Sequence, residues 1–224
     1  MNSPSPLRLR ADMSQRAVVR PDEEPWRPSP SPGVDRRMLD RVGEEVARAT
    51  TIVRYAPGSR FASHTHDLGE EFFVLEGTFS DEHGDYPAGT YVRNPPGSSH
   101  APFTEGGCTI FVKLRQFLPG DGQRVVIQTA EQSFLRGQVE GLTVLPLHEF
   151  ETTHVALVRW APGTRFLPHT HWGGEEILVV DGVFSDEHGD YPAGTWLRSP
   201  HLSRHTPFST AGCLIYVKVG HLAS

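Results

Sequence analysis

The stretch FSDEHGDYPAGT occupies residues 79–90 and returns without a change at residues 184–195. The offset between the two copies is 184 − 79 = 105 residues. Each copy carries the turn-forming letters SDEHGD and lies between segments rich in aromatic and β-branched residues. Gly and Asp at such a place are typical of the turn of a β-hairpin. We therefore expect a hairpin that acts as a connector, once in each half of the chain.

The same offset relates much of the remaining chain. TIVRYAPGSRF at 51–61 corresponds to ALVRWAPGTRF at 156–166, and GCTIFVK at 107–113 corresponds to GCLIYVK at 212–218. Units of roughly a hundred residues are long enough for a hydrophobic core of their own and too long for solenoid modules. The first residues mix Ser, Pro, Arg and Glu without periodicity, which is typical of a mobile segment. The expected organisation is a mobile arm over 1–24 and two tandem domains, over 25–122 and 123–224.

The composition favours a soluble, mainly β protein. Of 224 residues, 37% are hydrophobic and 21% are charged, and the 22 glycines and 19 prolines indicate many turns and short strands. The formal charge of −6 provides no broad cationic surface, so we expect neither nucleic acid nor an anionic membrane as a partner. The chain shows no long apolar run and no signal-peptide pattern, which predicts a cytoplasmic location. A small-molecule ligand fits this composition, and a homodimer is compatible with it.

One segment has two interpretations. MLDRVGEEVARA at 38–49 places Leu39, Val42 and Val46 at nearly helical spacing. The corresponding region of the second half contains Pro146, and a proline inside a helix costs about 3 kcal/mol or more. We therefore predict a strand with a turn, and not a helix, in both halves.

Histidines and glutamates recur on both sides of each hairpin. HTHDLGEE at 64–71 and HTHWGGEE at 169–176 precede the two hairpins, and single histidines, His100 and His205, follow them. Alternate residues of a strand point to one side, so the two imidazoles of each His-x-His motif share a face. The first glutamate of each pair keeps that side if the strand continues, but the glycine before it can change the direction. A third histidine from another strand would complete three nitrogens and one carboxylate, a set that suits a divalent cation.

These motifs resemble the two motifs of the cupin superfamily. GSRFASHTHDLGEEFFVLEG at 58–77 and its counterpart at 163–182 both fit G-x5-H-x-H-x3-E-x6-G. GTYVRNPPGSSH at 89–100 fits G-x5-P-x-G-x2-H, whereas its counterpart at 194–205 has Leu202 in place of the second glycine. Together with GEE, the hairpin stretch and GC-x-I-x-VK, the motifs further resemble the cupin half of ChrR-type anti-sigma factors, over nearly the whole chain.

The resemblance implies an all-β fold of two tandem cupin barrels, each a double-stranded β-helix or jelly roll. We expect one divalent metal ion in each domain, with zinc as the first candidate and iron, manganese or nickel as alternatives. The ligands that the resemblance implies are His64, His66, Glu70 and His100 in the first domain and His169, His171, Glu175 and His205 in the second.

The resemblance to ChrR-type factors also implies a regulatory or sensor protein that responds to a small molecule or to redox conditions. The sigma-binding helical domain of those factors carries an H-x3-C-x2-C zinc motif, which this sequence lacks, so a sigma factor is not an expected partner. Many cupins with three histidines and one glutamate are iron or nickel dioxygenases that act on a small chelating substrate, which is the alternative function. A metal-dependent isomerase or lyase is a third alternative, so whether the protein is an enzyme stays open at this point.

Other polar residues near the motifs have simpler interpretations. Glu71 and Glu176 are expected to point away from the metal side as solvated carboxylates. His83 and His188 fall inside the hairpin turns and are expected as turn residues. The two pockets are expected to differ in polarity and access, because Trp172 in the second copy replaces Asp67, and His201 and Arg204 replace Pro96 and Ser99.

The connector interpretation predicts different effects for two adjacent residues of the first hairpin. Gly84→Val places a Cβ where the turn is expected to need a positive φ, at a cost on the order of 1 kcal/mol, and should lower the thermal stability and the metal affinity of the first domain together. His83→Ala should change neither quantity. Melting curves and metal titrations of both variants provide the test. Abolished metal binding in His83→Ala beside a silent Gly84→Val would contradict the interpretation.

Overall fold

The computed structural model describes residues 7–222, so residues 1–6 of the predicted arm and the last two residues lie outside the described residues. Regular structure in the described part is almost entirely β, with one short 3₁₀ helix at Thr129–Glu131. No helix in this part of the chain has the length and apolar character needed to cross a bilayer. The predicted all-β class is confirmed.

The chain divides into two compact units. The first contains the residues up to Ala11 and Glu24–Glu131, and the second contains Asp12–Glu23 and the residues from Gln132 onward. The strands up to the end of the first unit are β1 (Arg8–Leu9), β2 (Ala17–Val19), β3 (Arg27–Pro28), β4 (Val34–Gly43), β5 (Ala47–Tyr55), β6 (His64–His66), β7 (Glu70–Asp81), β8 (Gly84–Pro87), β9 (Thr90–Asn94), β10 (Ser98–His100), β11 (Cys108–Leu114) and β12 (Val125–Gln128). The later strands are β13 (Leu135–Arg136), β14 (Leu142–Phe150), β15 (Thr153–Trp160), β16 (Thr164–Arg165), β17 (His169–Thr170), β18 (Glu175–Asp186), β19 (Gly189–Pro192), β20 (Trp196–Ser199), β21 (Arg204–His205), β22 (Phe208–Ser209) and β23 (Cys213–Val219).

The first unit is built on a sheet with the strand order β1-β4-β5-β11-β7-β9-β12, to which β3 and β8 add by pairing with β4 and β7. A separate two-stranded pair consists of β6 and β10. Side chains alternate along the antiparallel strands, so Phe72 and Val74 of β7 and Cys108, Ile110 and Val112 of β11 enter the core from one side. The core consists of Val34, Val53, Phe72, Val74, Phe79, Tyr86, Val92, Cys108, Ile110 and Val112.

The second unit repeats this arrangement with the order β13-β14-β15-β23-β18-β20-β2 and the separate pair β17 and β21. β19 pairs with β18, and β22 pairs with both β16 and β18. Its core consists of Leu142, Val158, Trp160, Ile177, Val179, Phe184, Tyr191, Leu197, Cys213 and Ile215. The matching strand orders agree with the predicted tandem cupin barrels.

The structure differs from the predicted mobile arm over residues 7–24. β1 pairs with β4 in the first unit, and β2 pairs with β20 in the second, where Val18 lies opposite Leu197. Val19 is 1% exposed. The edge of β20 offers backbone donors and acceptors that require partners, and the β-branched residues of β2 fit a half-buried edge, so three residues suffice for a strand.

The boundary between the units also differs from the predicted one at 122/123. β12 pairs with β9, with Val125 opposite Arg93. Thr129 Oγ1 then donates a hydrogen bond of 2.7 Å to Gly89 O. These backbone and side-chain bonds keep the residues up to Glu131 in the first unit.

Two local predictions are confirmed. The segment 38–49 forms the end of β4, a turn and the start of β5, with no helix. The repeated stretch forms a hairpin in which Asp81 lies opposite Gly84. The φ angles of Gly84 and Gly189 are 151° and 143°, which glycine adopts far more readily than residues with a Cβ.

Candidate metal centres

Two short antiparallel strands bring the three histidines of the first unit together. In the β6–β10 pair, His64 lies opposite His100 and His66 lies opposite Ser98. His66 Nε2 lies 3.0 Å from His100 Nε2. One ligand atom from each of the three rings falls within 4.8 Å of the others. The structure therefore groups imidazoles from two strands, as the motif spacing predicts.

Glu70 joins the group although the strand does not continue from His66. The chain turns after β6 through Gly69, whose φ is 79°, and enters β7 at Glu70. Glu70 Oε2 lies 3.4 Å from His66 Nε2 and 3.5 Å from His100 Nε2. Of the two adjacent glutamates, the first is thus the one that faces the histidines.

The second unit has the same arrangement. His169 lies opposite His205 in the β17–β21 pair. His171 Nε2 lies 3.0 Å from His205 Nε2, and Glu175 Oε2 lies 3.5 Å and 3.6 Å from these two nitrogens. All eight candidate ligands therefore lie in two groups of four, one in each unit.

Hydrogen bonds decide which ring nitrogen faces the centre of each group. Nδ1 of His64 lies 3.1 Å from Ala62 O, and because a carbonyl oxygen only accepts, Nδ1 carries the hydrogen and Nε2 carries the lone pair. Nδ1 of His100 lies 3.1 Å from Asp81 Oδ2, which assigns the His100 lone pair to Nε2 in the same way. Together with the carboxylate of Glu70, these lone pairs converge, and one cation satisfies them all.

The spacing of the nitrogens also suits a metal ion. At metal–nitrogen distances of about 2.1 Å, adjacent ligands of an octahedral ion lie roughly 3 Å apart. The Nε2 atoms of His66 and His100 lie 3.0 Å apart, and so do those of His171 and His205. Burial raises the pKa of Glu175 to about 7. A cation beside this carboxyl would lower that pKa and favour the ionised form. The donor set fits a divalent ion, and imidazole with carboxylate suits several such ions alike.

Burial favours the neutral form of His66 and His171, the second histidine of each His-x-His motif. Desolvation is the main cause of the lowered pKa of His66 and of His171, whose pKa falls to about 3. Metals bind the neutral ring, so neither histidine must lose a proton before binding at neutral pH. The pKa of His100 is raised instead: burial lowers it, but the hydrogen bond to Asp81 and the charge of Glu70 outweigh that effect.

Asp81, within the repeated hairpin, supports the centre, and the sequence did not reveal this role. Besides His100, it accepts hydrogen bonds from Tyr86 Oη at 3.0 Å and from the backbone N of His83 at 2.8 Å. Burial opposes its ionisation, but these hydrogen bonds and the one from His100 lower its pKa. A buried carboxylate of this kind fixes the orientation of the ligand ring.

The second hairpin provides the same support through Asp186. Asp186 accepts from Tyr191 Oη at 2.7 Å and from the backbone N of His188 at 2.8 Å, and its Oδ2 lies 3.5 Å from Nδ1 of His205. His188, like His83, is an exposed turn residue, as predicted. The available sequence signal was the identical Asp and Tyr in both copies, at equal distance from the last histidine.

The prediction that Glu71 and Glu176 are solvated is wrong. Glu71 is 2% exposed and accepts from Arg93 Nε at 3.2 Å. Glu176 is 1% exposed and accepts from Trp196 Nε1 at 2.7 Å. Strand alternation does direct both side chains away from the metal side. The opposite side of these strands is also buried, so each carboxylate requires a hydrogen-bonding partner.

Each group of four candidate ligands lines an open cavity, of about 560 Å³ in the first unit and about 450 Å³ in the second. The predicted difference in polarity is confirmed, although Trp172 does not line the second cavity and is 67% exposed, against the ring of His201. The first lining includes the charged residues Arg36, Glu45, Asp67 and Arg115, whereas the second is mainly Leu142, Val158, Trp160, Phe166, Phe184, Pro207, Ile215, Val217 and Val219.

The fold and the two groups define a class of protein: a bicupin with a three-histidine, one-glutamate group in each barrel. A family model described as the ChrR cupin-like domain matches the chain twice, over residues 14–118 and 122–223. The chain therefore belongs to the ChrR cupin-like domain family, as the motifs indicate. No curated protein matches the sequence.

Solved structures share the fold at low sequence identity. A candidate dioxygenase from Nostoc punctiforme is 14% identical with a TM-score of 0.75, over 92% of this chain and 82% of its own. Protein Ylba from E. coli is 18% identical with a TM-score of 0.71, over 93% and 92%. A variant of oxalate decarboxylase from B. subtilis is 15% identical with a TM-score of 0.62, over 91% and 76%. At these identities the similarity shows the fold alone.

Because each unit has its own group of candidate ligands, removing the ligands of one group should halve the metal content of the protein. His64→Ala/His66→Ala removes two nitrogens from the first group only, so about half of the metal should be lost and the rest retained. His169→Ala/His171→Ala is the matched variant and should lose the other half. Elemental analysis of the purified proteins measures the content. An unchanged metal-to-protein ratio in either variant would show that its group holds no metal.

The contact between Asp81 and His100 predicts a second effect. Asp81→Asn leaves every candidate ligand in place but removes the charge that orients His100, so the metal affinity of the first unit should fall about 10- to 100-fold. Asp85→Asn is the control, because Asp85 belongs to the same hairpin and accepts from Ser80 Oγ instead. Competition titrations with a chelator measure both affinities. Equal losses in the two variants would mean that the hairpin, and not the Asp81 carboxylate, is responsible.

Proposed function

We propose that the protein is a metal-binding bicupin that recognises a small molecule at its metal centres and acts as a regulatory or sensor protein. The observation that carries the proposal is the convergence of three imidazoles and one carboxylate on the wall of an open cavity in each unit. Four protein ligands close a tetrahedral structural zinc site, whereas an octahedral ion held by the same four donors keeps two positions open toward the cavity. The cavities therefore support ligand binding over a structural role.

One divalent ion in each unit is part of this proposal, with zinc first and iron, manganese or nickel as alternatives. Such an ion, held by three neutral rings and one carboxylate, would supply Lewis acidity and, with a coordination number above four, open positions for a chelating molecule. Asp81 and Asp186 orient His100 and His205 from outside the ligand set. The cavity walls then exclude part of the bulk water and select the molecule that enters.

The regulatory part of the proposal is supported by membership of the ChrR cupin-like family. A response to a small molecule or to redox conditions would act through the occupancy of the metal centres. The small-molecule ligand, a homodimer and a cytoplasmic location remain predictions, as does the expectation that nucleic acid, membranes and a sigma factor are not partners.

A second candidate function is that of an iron or nickel dioxygenase acting on a small chelating substrate. The open cavities favour it, and so does the similarity of fold to a candidate dioxygenase and to oxalate decarboxylase, a protein with Mn(II) centres. Glu70 Oε2 lies 3.4 Å from His66 Nε2 and 3.5 Å from His100 Nε2, beside the cavity, where a carboxylate can accept a proton from a bound substrate.

Metal analysis and oxygen uptake on the same sample test both functions. Protein purified without oxygen should retain one ion in each unit. Under the proposed function, small chelating acids should raise its melting temperature without consuming oxygen. Oxygen uptake that keeps pace with loss of the added acid would instead establish the dioxygenase. A wild-type protein that retains no metal, even after reconstitution, would refute both proposed functions. The control is the variant in which all four histidines of the two His-x-His motifs are replaced.

A further inference from the structure

Two arginines line the first cavity, and the second cavity has neither. Arg36 and Arg115 both belong to the first lining. In the sheet of the first unit, Arg36 lies opposite Val53. At the corresponding place in the second unit, Val144 lies opposite Val158. A valine thus replaces the first of the two arginines.

A glycine replaces Arg115. The backbone N of Arg115 donates to Gly69 O at 3.0 Å, and that of Gly220 donates to Gly174 O at 3.1 Å, so the two positions are equivalent. Both have left-handed φ angles, 59° at Arg115 and 76° at Gly220. Glycine adopts this conformation freely and arginine does so at a cost. The first unit therefore carries an arginine where the backbone favours glycine, which points to a use for the side chain.

The guanidinium of Arg115 has a partner that a ligand can replace. Its Nη1 donates to both carboxylate oxygens of Asp67, at 2.7 Å and 2.6 Å. The Asp67 side chain is 64% exposed and follows the candidate ligand His66 directly in sequence. Water and salt weaken an ion pair with so exposed a member. A carboxylate on a bound molecule can take the place of Asp67, and guanidinium groups bind carboxylates through two parallel hydrogen bonds.

Arg36 adds a second positive group to the same cavity. It donates to both oxygens of Glu45, at 3.0 Å and 3.2 Å, and the Glu45 side chain is also 64% exposed. Its Nε is buried and has no hydrogen-bond partner among the described residues. The first cavity therefore presents two cationic side chains, each paired with an exposed acid.

The second cavity has the opposite character. Besides the four candidate ligands, its lining contributes the amide of Gln138 and no Arg or Lys side chain, and the remaining wall is aromatic and aliphatic. A negatively charged group on a ligand would meet no cationic side chain there, so less of the free-energy cost of its lost hydration would be offset than in the first cavity.

We propose that the first cavity binds a small acid that coordinates the metal at one end and offers a second carboxylate to Arg115. The second cavity binds a molecule with the same metal-binding end and an uncharged, apolar body. Arg115 is thus a specificity residue, and the two units of one chain select ligands by charge. This inference rests on the proposed function, because the metal ion positions the end that the two ligands share.

Two probe acids separate charge from chelation. 2-Oxoglutarate and 2-oxopentanoate share a five-carbon chain and a chelating 2-oxo acid end, and they differ in the distal carboxylate. Calorimetric titration of metal-loaded His169→Ala/His171→Ala, in which the first centre remains, should show binding of 2-oxoglutarate roughly ten- to a hundredfold tighter than of 2-oxopentanoate. Metal-loaded His64→Ala/His66→Ala, in which the second centre remains, should prefer 2-oxopentanoate.

Arg115→Gly, in the same background, tests the residue itself. The variant copies the second unit and relieves the left-handed backbone, so we expect it to fold. It should lose the preference for 2-oxoglutarate, with the affinity for 2-oxopentanoate kept within about twofold. Arg60→Ala is the control, since it removes an arginine of the same unit that pairs with Glu105 and does not line the cavity. It should change neither affinity.

Three results would overturn the inference and leave the metal-binding proposal in place. In the first, the first centre binds the two acids with equal affinity. In the second, neither acid binds to a centre that holds its metal. In the third, Arg115→Gly lowers the affinities for both acids equally. A wild-type protein that holds no metal would overturn the proposed function and this inference with it. Metal content measured before each titration tells the two failures apart.

Discussion

The antiparallel pairing of β6 with β10 sets the relative positions of the three histidines of the first candidate metal centre. Each strand is only three residues long, and their register places His64 opposite His100. Because side chains alternate, a slip of one residue would turn these rings to opposite sides. Glu70, at the start of β7, lies beside Nε2 of His100. Asp81, at the end of the same strand, accepts from Nδ1 of that ring. Several longer strands thus serve to hold one short pair in register.

The parts of the site that depend on local geometry were predictable from the sequence, and those that depend on packing were not. The shared side of His64 and His66 follows from strand alternation, whereas Glu70 was expected from the cupin motif, because Gly69 interrupts the strand. The contact of Asp81 with His100 depends on how a hairpin folds over another strand, and nothing local encodes it. The burial of Glu71 depends on whether the outer face of the sheet is covered, which alternation alone does not decide. The strand β2 was hidden because three β-branched and small residues lie in a polar, proline-containing segment.

The two units combine one donor geometry with two different cavity walls. A metal ion requires specific atoms at specific distances, so it restricts the four ligands, the hairpin and the carboxylate that orients the last histidine. Wall residues need only fill space and leave no polar group without a partner. Arginine and glycine can therefore occupy equivalent positions at Arg115 and Gly220, while the Nε2 separations stay equal at 3.0 Å. Duplication of the donor set thus leaves each cavity free to accept its own molecule.

The strand β2 also links the completion of the second unit to the first part of the chain. Val18 and its partner Leu197 are separated by 197 − 18 = 179 positions. During synthesis these first residues exist long before their partner strand does, and pairings of such separation form late because a long loop must close first. Until then the backbone donors and acceptors on this edge of β20 lack their strand partner. Completion of the second sheet therefore waits for a contact that spans most of the chain.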